Sequence, residues 1–506
     1  MSMLRLTALV PVVGALATAG FAAPPNVLLI CVDDLKPAIR AYGDELAVTP
    51  NLDRLSARGV RFERAYCNQA VCGPSRYNLL LGSRSTSTGV YSFGQDPRAA
   101  FPDAVTLPQY FRRQGYTAES IGKVFHVGHG TYDDMASWSR PPLHDKVIEY
   151  LLPESTNGGR LTREEALFGN IENSVPIREL ARGSAWESVD VPDNAYADGR
   201  VATEAMRRLA EFKHTGERFF LAVGFVRPHL PFVAPKKYWD LYDRAKLPLS
   251  RNPSPPKDSP AYAMKGLIEL NQFSQIPEQP PLSEELQRTL IHGYYAGVSY
   301  ADAQIGRVLS ALEREGLADN TIVVVWGDHG YSFGNHGDWT KHSNYEEVNR
   351  IPVILAGPGI ARGKPTSALF ETVDLYPTLA DLAGFEVPTG PQPIDGTSQV
   401  PVLKDPTKAR VKDYVYHAYP RPRPRFGGEW LGRAIRTERY RFVEWLPFGP
   451  SEAKPDQELF DYEIDPLETT NVAAQHPELV ERFVRILARE PAPKLPLERQ
   501  PLRRVN

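Results

Sequence analysis

The sequence predicts an α/β protein: a large, mostly parallel sheet sandwiched by helices, followed by a small C-terminal antiparallel sheet with a helix. Three features predict it. Apolar runs at residues 26–32, 219–226 and 321–326 have the continuous texture of strands buried on both faces. Helix-compatible segments lie between them, and strand–helix alternation builds parallel sheets covered by helices. Beyond about Pro388, strand-like runs crowd together with only turns between them, which suits antiparallel pairing.

The 506 residues carry 58 basic and 61 acidic side chains, a formal net charge of −3, with no long basic run. That balance sets nucleic-acid binding aside. Residues 1–23 read as a signal peptide: Arg5, a mostly apolar stretch over 6–19, then Gly20 and Ala22 in a small-x-small pattern. The apolar run is short for a membrane span and lacks a stop-transfer flank. Export to a periplasm or outside the cell, without stable membrane insertion after cleavage, is the expectation. Three cysteines, Cys31, Cys67 and Cys72, are too few for a disulfide scaffold. Cys31 sits in an apolar strand and reads as a core thiol. Cys67 and Cys72 either pair or leave Cys72 reactive.

In chain order, the strand at 26–32 ends in Asp33-Asp34. Adjacent carboxylates at the end of a buried strand repel each other unless a cation neutralises them. Strand ends are also where open α/β sheets place ligands. Thr49-Pro50 opens a short helix that stops at Gly59, and 60–66 alternates as a half-buried strand should. Then comes Val71-Cys72-Gly73-Pro74-Ser75-Arg76. Pro74 suits the first turn of a helix running to Leu81, which places Cys72 at an anion-favouring helix N-terminus, with Arg76 as a fixed cation. Thr106 starts a helix ending at Gly115, and the strand at 117–121 leads to Lys123 and His126. Residues 130–194, with little periodicity, read as an insertion over the active face.

A helix at 196–214 precedes the strand at 219–226, which delivers His229. Residues 247–282 are Pro-rich, as in a functional loop or linker. Ser283 caps a long helix to about Glu315, and the strand at 321–326 ends in Asp328-His329, with Trp339, Lys341 and His342 beyond. A strand at 352–355 and a helix at 374–383 follow. Strands at 414–418, 432–437, 440–445 and 458–462, with a helix at 477–489, make the second part. The expected division is a signal peptide at 1–23, a catalytic domain at 24–390 and a C-terminal α+β subdomain at 391–506.

Asp33, Asp34, Asp328 and His329 make a candidate divalent-cation site. Oxygen ligands point to Ca²⁺ or Mg²⁺, and the imidazole admits Mn²⁺ or Zn²⁺. Arg76, Lys123 and Lys341 would neutralise a tetrahedral oxyanion, such as a sulfate or phosphate ester.

On these stretches the chain resembles the formylglycine-dependent (type I) sulfatases of the alkaline-phosphatase superfamily, most of all their iduronate-2-sulfatase branch. The resemblance runs from about residue 24 to about 475. It rests on Pro25–Ile30 with Asp33-Asp34, Ala70–Arg76, Gly122–His126, Phe219–Gly224 with Pro228-His229, Asp328-His329-Gly330, Trp339-Thr340-Lys341 and Asp465-Pro466-Leu467-Glu468. It implies that a formylglycine-generating maturation enzyme oxidises Cys72 to 3-oxoalanine (formylglycine). One hydroxyl of the hydrate would attack sulfur. It further implies that Arg76 and the metal, usually Ca²⁺, lower the cost of that nucleophile, and that Lys123 contacts sulfate. His229 and Lys341 would bind sulfate and protonate the leaving alcohol, and His126 would take the proton that expels sulfate. His329 replaces an asparagine of many sulfatases, as it does in the iduronate branch. The same Asp-His pair looks like that of phosphonate monoester hydrolases, which prefer Mn²⁺-type metals.

The expected substrate is a sulfated oligosaccharide with a 2-O-sulfated uronic acid at its non-reducing end. Its carboxylate needs cations. Arg421 or Arg423, in the basic Pro-rich stretch after Tyr419, is expected to supply them, with Trp339 or Trp430 packing on the sugar.

Overall fold

The computed structural model describes residues 24–267, 269–423 and 428–503; the expected signal peptide lies outside them. The main sheet is built around β1 (Asn26–Val32), which no solvent reaches beyond its first residue. The other strands are β2 (Val60–Tyr66), β3 (Thr117–Gly122), β4 (Phe219–Phe225), β5 (Thr321–Gly327), β6 (Arg350–Ile351), β7 (Val353–Ala356) and β8 (Lys364–Glu371). β1 pairs in parallel with β4 on one side and β5 on the other, and β3 closes that edge beside β4. Beyond β5, β7 runs antiparallel, then β2 and β8 return to the common direction. The sheet is therefore mostly parallel, as expected.

β8 was not foreseen in the sequence. It starts on exposed Lys364-Pro365, and its buried residues are Thr366 and then the last four in a row, so no regular apolar period marks it.

Two apolar clusters sandwich this sheet. One packs α2 (Ala197–Thr215) and α3 (Glu284–Arg314) on one face; the other packs α1 (Cys72–Leu81) and α4 (Leu375–Leu382) on the opposite face. Ser283 caps α3 through its side chain, accepting from Leu286 N at 3.3 Å. Every residue of α1 is buried, so this helix is held from all sides.

The C-terminal sheet is a meander of β9 (Val415–Arg423), β10 (Gly428–Arg436), β11 (Tyr440–Pro447) and β12 (Asp456–Asp461). One face packs under α5 (Pro477–Leu487) through Phe442, Phe483 and Leu487; the other turns Trp445 and Phe460 towards Tyr345. The basic Pro-rich stretch after Tyr419, expected to supply cations to the cleft, is the second half of β9, paired with β10 up to Arg423 and Gly428. β9 is an edge strand, and prolines are tolerated there because no ladder partner needs their missing N–H.

A buried ion network joins the two parts. Glu346 meets Arg436 at 3.0 Å and Arg441 at 2.8 Å. Burial works against its charge, but the two guanidinium groups hold its carboxyl at about 2, below the usual 4.5. A depressed carboxyl stabilises the fold fully above its unfolded value, and that contribution disappears as pH falls through the folded value. Glu346→Gln is therefore expected to cost about 3 kcal/mol at neutral pH. In urea unfolding followed from pH 7 to pH 2, the difference from the parent should shrink below about pH 4.5. A difference that stays constant over that range would rule the account out.

Among the described residues no helix is long and apolar enough to cross a membrane.

Candidate active site

The register of the sheet brings the predicted residues to one edge. Val32 lies opposite both Phe225 and Gly327, and Gly122 opposite Gly224, so β1, β3, β4 and β5 end together. The chain leaving each end carries Asp33-Asp34, Lys123 and His126, His229, and Asp328-His329. Gly224 is required here: a Cβ would stand 2.1 Å from the Lys123 backbone. Asp34 sits at φ 58°, a strained left-handed conformation for a non-glycine residue. Tyr294 of α3 steadies that turn by donating to the Asp34 carbonyl at 2.7 Å and accepting from Lys36 N at 2.9 Å.

Cys72 is the first residue of α1, whose opening N–H groups have no helical acceptor. Its Sγ lies 3.2 Å from His329 Nε2 and 3.9 Å from Asp34 Oδ1. One turn on, Arg76 donates from Nε to Asp328 at 3.0 Å, from NH2 to Asp33 at 2.9 Å and from NH1 to the Val124 carbonyl at 3.1 Å. Lys123 pairs with the other Asp33 oxygen, and Lys341 reaches both Asp34 oxygens at 2.9 and 3.0 Å. Three carboxylates and three cations are thus locked together, none more than 3% exposed. Desolvating six charges opposes folding, and apolar packing would stabilise the edge better. Such clusters belong to functional sites.

The three expected carboxylates and His329 fall into two overlapping groups that share Asp33 and Cys72. Asp33, Asp328, His329 and Cys72 offer ligand atoms within 4.8 Å of one another, and so do Asp33, Asp34, Cys72 and His229. His329 donates from Nδ1 to the Gly330 carbonyl at 3.0 Å, which leaves the Nε2 lone pair facing Asp34 at 3.3 Å and Asp328 at 3.6 Å. Burial pushes the Asp34 carboxyl up to about 7 even against Lys341 and His329. A divalent cation among these oxygens offsets the same burial, so the donor set fits one. Its hard oxygens with one imidazole suit Ca²⁺, Mg²⁺ or Mn²⁺.

Around this core, Lys341 also meets Glu269 at 2.7 Å, and its ammonium is raised well above the usual range: burial opposes the charge most strongly, but Asp34, Cys72, Glu269 and Asp33 together outweigh it. His229 Nε2 lies 4.0 Å from Asp33 and 3.6 Å from Glu269. His126 is stacked on Phe93 at 4.4 Å and lies 3.3 Å from the His129 ring nitrogen, with its own Nδ1 buried and unpartnered. Burial and then Lys123 push its imidazole well below the usual range, so it is neutral at pH 7.

The thiols are unpaired: Cys67 Sγ faces the Val348 carbonyl at 3.8 Å and Asn349 at 3.7 Å, not Cys72.

Sequence comparison adds a family to this geometry. A sequence profile of the sulfatases matches residues 25–385. The chain belongs to the sulfatase family. A second profile, N-sulphoglucosamine sulphohydrolase C-terminal, matches residues 334–489 of this sulfatase. Iduronate 2-sulfatase of Mus musculus is 33% identical over 516 aligned residues, which cover 88% of this chain and 90% of the relative. Among solved structures, a 2-O GAG sulfatase shares 25% identity with a TM-score of 0.67, over 92% of this chain and 91% of that one. A phosphonate monoester hydrolase from Silicibacter pomeroyi shares 24% identity and a TM-score of 0.70, over 92% and 94%, a likeness of fold alone. As a sulfatase, the protein is a sulfuric ester hydrolase.

The residues expected to bind the sugar are placed differently in this sulfatase. Trp339 is packed in the main core and Trp430 against the small sheet, at 5% and 6% exposure. Those rings are packing residues as placed, because apolar neighbours cover them. Arg421 is 4% exposed and donates to the carbonyls of Tyr262 at 2.9 Å and Ala263 at 2.7 Å. Arg423 ends β9, and its side chain falls outside the described residues.

Sequence reasoning missed Phe168 and Glu269. Phe168, from the irregular stretch at 130–194, stands 5.0 Å from Lys123 Nζ and 5.9 Å from the His229 ring. Phe168 ends a short helix, Arg163–Phe168, opened by a Thr162/Glu165 capping box that could have marked it, whereas Glu269 has no such local signal.

Proposed function

We propose that this sulfatase removes the 2-O-sulfate of a uronic acid, iduronate type, from a sulfated glycan through a formylglycine made from Cys72. The observation that carries the reading is Cys72 at a helix N-terminus, 3.2 Å from His329 and inside the cage of paired carboxylates and cations. Burial pushes the Cys72 thiol well above its usual range, so an unmodified Cys72 is a poor nucleophile. The substrate class rests on the similarity to iduronate 2-sulfatase. A maturation enzyme as partner and export from the cytoplasm belong to the same reading.

A formylglycine hydrate supplies a hydroxyl in place of the thiol, and a divalent cation, Ca²⁺ in the first instance, supplies Lewis acidity among Asp33, Asp34, Asp328 and His329. Arg76 holds Asp33 and Asp328 in place. Lys123, His229 and Lys341 bind the sulfate oxygens as charge shifts onto them. The net reaction is R–O–SO₃⁻ + H₂O → R–OH + HSO₄⁻. Lys341, kept charged by its carboxylate neighbours, gives a proton to the departing alcohol oxygen. His126, neutral at pH 7, takes a proton from the hydrate as sulfate leaves.

A second reading, phosphonate or phosphate ester hydrolysis on the same scaffold, shares with the first the imidazole of His329 among the metal donors, so substrate choice has to separate them. The test uses protein co-expressed with a maturation enzyme. Its substrates are a disaccharide with a 2-O-sulfated non-reducing-end uronate, one with a 6-O-sulfated hexosamine, and an aryl phosphonate monoester. Sulfate release from the first alone is expected. Release from the second alone would sink the substrate assignment, and turnover of the phosphonate alone would favour the second reading.

A further inference from the structure

The groups proposed to bind sulfate already hold an anion that belongs to the chain. Glu269 Oε1 lies 2.7 Å from Lys341 Nζ and 3.6 Å from His229 Nε2. Its other oxygen, Oε2, points to His342 Nδ1 at 4.0 Å and has no hydrogen-bond partner although it is shielded from solvent. A carboxylate bonded to an ammonium and facing two imidazoles from beyond hydrogen-bond distance has the charge and the oxygen spacing of two oxygens of a sulfate ester. Beneath it, Cys72, Lys341 and His229 are 1%, 3% and 4% exposed, whereas the Glu269 side chain keeps 18%. Glu269 is thus the outermost of these groups.

We infer that Glu269 is an internal stand-in for the substrate's anion: it occupies a subsite formed by Lys341, His229 and His342, and a sulfate ester binds by displacing it. The inference rests on the assignment of Lys341 and His229 as sulfate-binding groups. Lys341 Nζ already reaches both Asp34 oxygens at 2.9 and 3.0 Å and Glu269 Oε1 at 2.7 Å, so its three donors leave no place for a third anion unless Glu269 withdraws. The backbone is anchored on both sides, since Leu267 and Leu270 are core residues at 4% and 0% exposure. Displacement is therefore a rotation of the Glu269 side chain, with no opening of the fold. The orphaned Oε2 is consistent with a carboxylate held by one oxygen and released at low cost.

The rival role is a positioning one, in which Glu269 keeps Lys341 and His229 aligned for proton transfer. The two roles predict opposite outcomes. The test takes matured, metal-loaded wild type, Glu269→Gln and Glu269→Asp. It measures inorganic sulfate binding by calorimetry, and KM and kcat on a sulfate ester. Displacement predicts that sulfate binds about tenfold tighter to Glu269→Gln, because the competing charge-assisted contact is gone. KM should fall in parallel, with kcat largely kept. Glu269→Asp retains the charge but is one methylene too short to reach Lys341, and should also bind sulfate more tightly. Unchanged or weaker sulfate binding in Glu269→Gln, or a fall in kcat at constant KM, would overturn the inference. So would wild-type behaviour of Glu269→Asp, which would reduce the effect to net charge. Sulfate binding is read without turnover, so a wrong uronate assignment leaves this test intact.

Discussion

Cys72→Ala is expected to lower sulfate release by at least about ten-thousandfold while leaving the fold in place. The side chain removed is the one that would carry the nucleophile. Lys123, Lys341 and His229 can still bind a sulfate ester but have nothing to attack it with. The structural cost should be small. Among the described residues Cys72 Sγ makes two polar contacts, to His329 and Asp34, and losing a sulfur atom at a position 1% exposed leaves a cavity smaller than a lost Leu side chain would. Turnover of the 2-O-sulfated disaccharide and circular dichroism melting, run together, check both halves. A variant that folds and still turns over within tenfold of wild type would remove Cys72 from the chemistry. Mass analysis of the wild-type peptide adds an independent reading: a thiol in fully active protein would exclude the formylglycine route.

Asp328→Asn should cost about a thousandfold in turnover together with loss of the bound divalent cation. Lewis-acid stabilisation of several kcal/mol corresponds to about that factor. The carboxylate is fully committed: Oδ1 accepts the backbone N–H of Asp34 and of His329, both at 2.9 Å, and Oδ2 accepts Arg76 Nε at 3.0 Å. An amide is isosteric but must turn its NH₂ towards one of these donors, and it removes a negative charge from the candidate metal set. Arg76 keeps Asp33 as a partner, so the fold should persist at a lower melting temperature. Elemental analysis of purified protein, beside kinetics with and without added Ca²⁺, is the measurement. Wild-type metal content with wild-type turnover would show that Asp328 is no ligand. Activity restored by excess metal would instead show weakened affinity with the chemistry preserved.

Much of the site could be read from the chain because its signals are local. A run such as Val27 to Val32 can be buried on both faces only as a central strand, so acids placed directly after it, Asp33 and Asp34, must lie at a strand end. The same logic located Asp328 and His329 after β5 and His229 after β4. Pro74 two residues after Cys72 announced the helix start. Family motifs then attached roles to positions that physics alone had marked only as charged and costly. The C-terminal change of texture likewise reported a separate antiparallel sheet, because closely spaced strands without helices leave little else to form.

Other features depended on contacts between distant segments, which local periodicity does not encode. The reversed direction of β7 and the presence of β8 are decided by which edge remains open beside β2, with Lys364 and Pro365 hiding the second of these. The prolines after Tyr419 give no strand signal, yet an edge strand tolerates them, and pairing with β10 made one. That placement set Arg421 against the carbonyls of Tyr262 and Ala263, and apolar neighbours took Trp339 and Trp430. Phe168 and Glu269 arrive from irregular stretches, Phe168 at the end of a single capped helix, and packing decides that both reach the site. Sequence period and strand-end chemistry determined the sheet and the charged centre. Tertiary packing alone decided what covers that centre, because the covering segments have no conformation of their own until the core beneath them has formed.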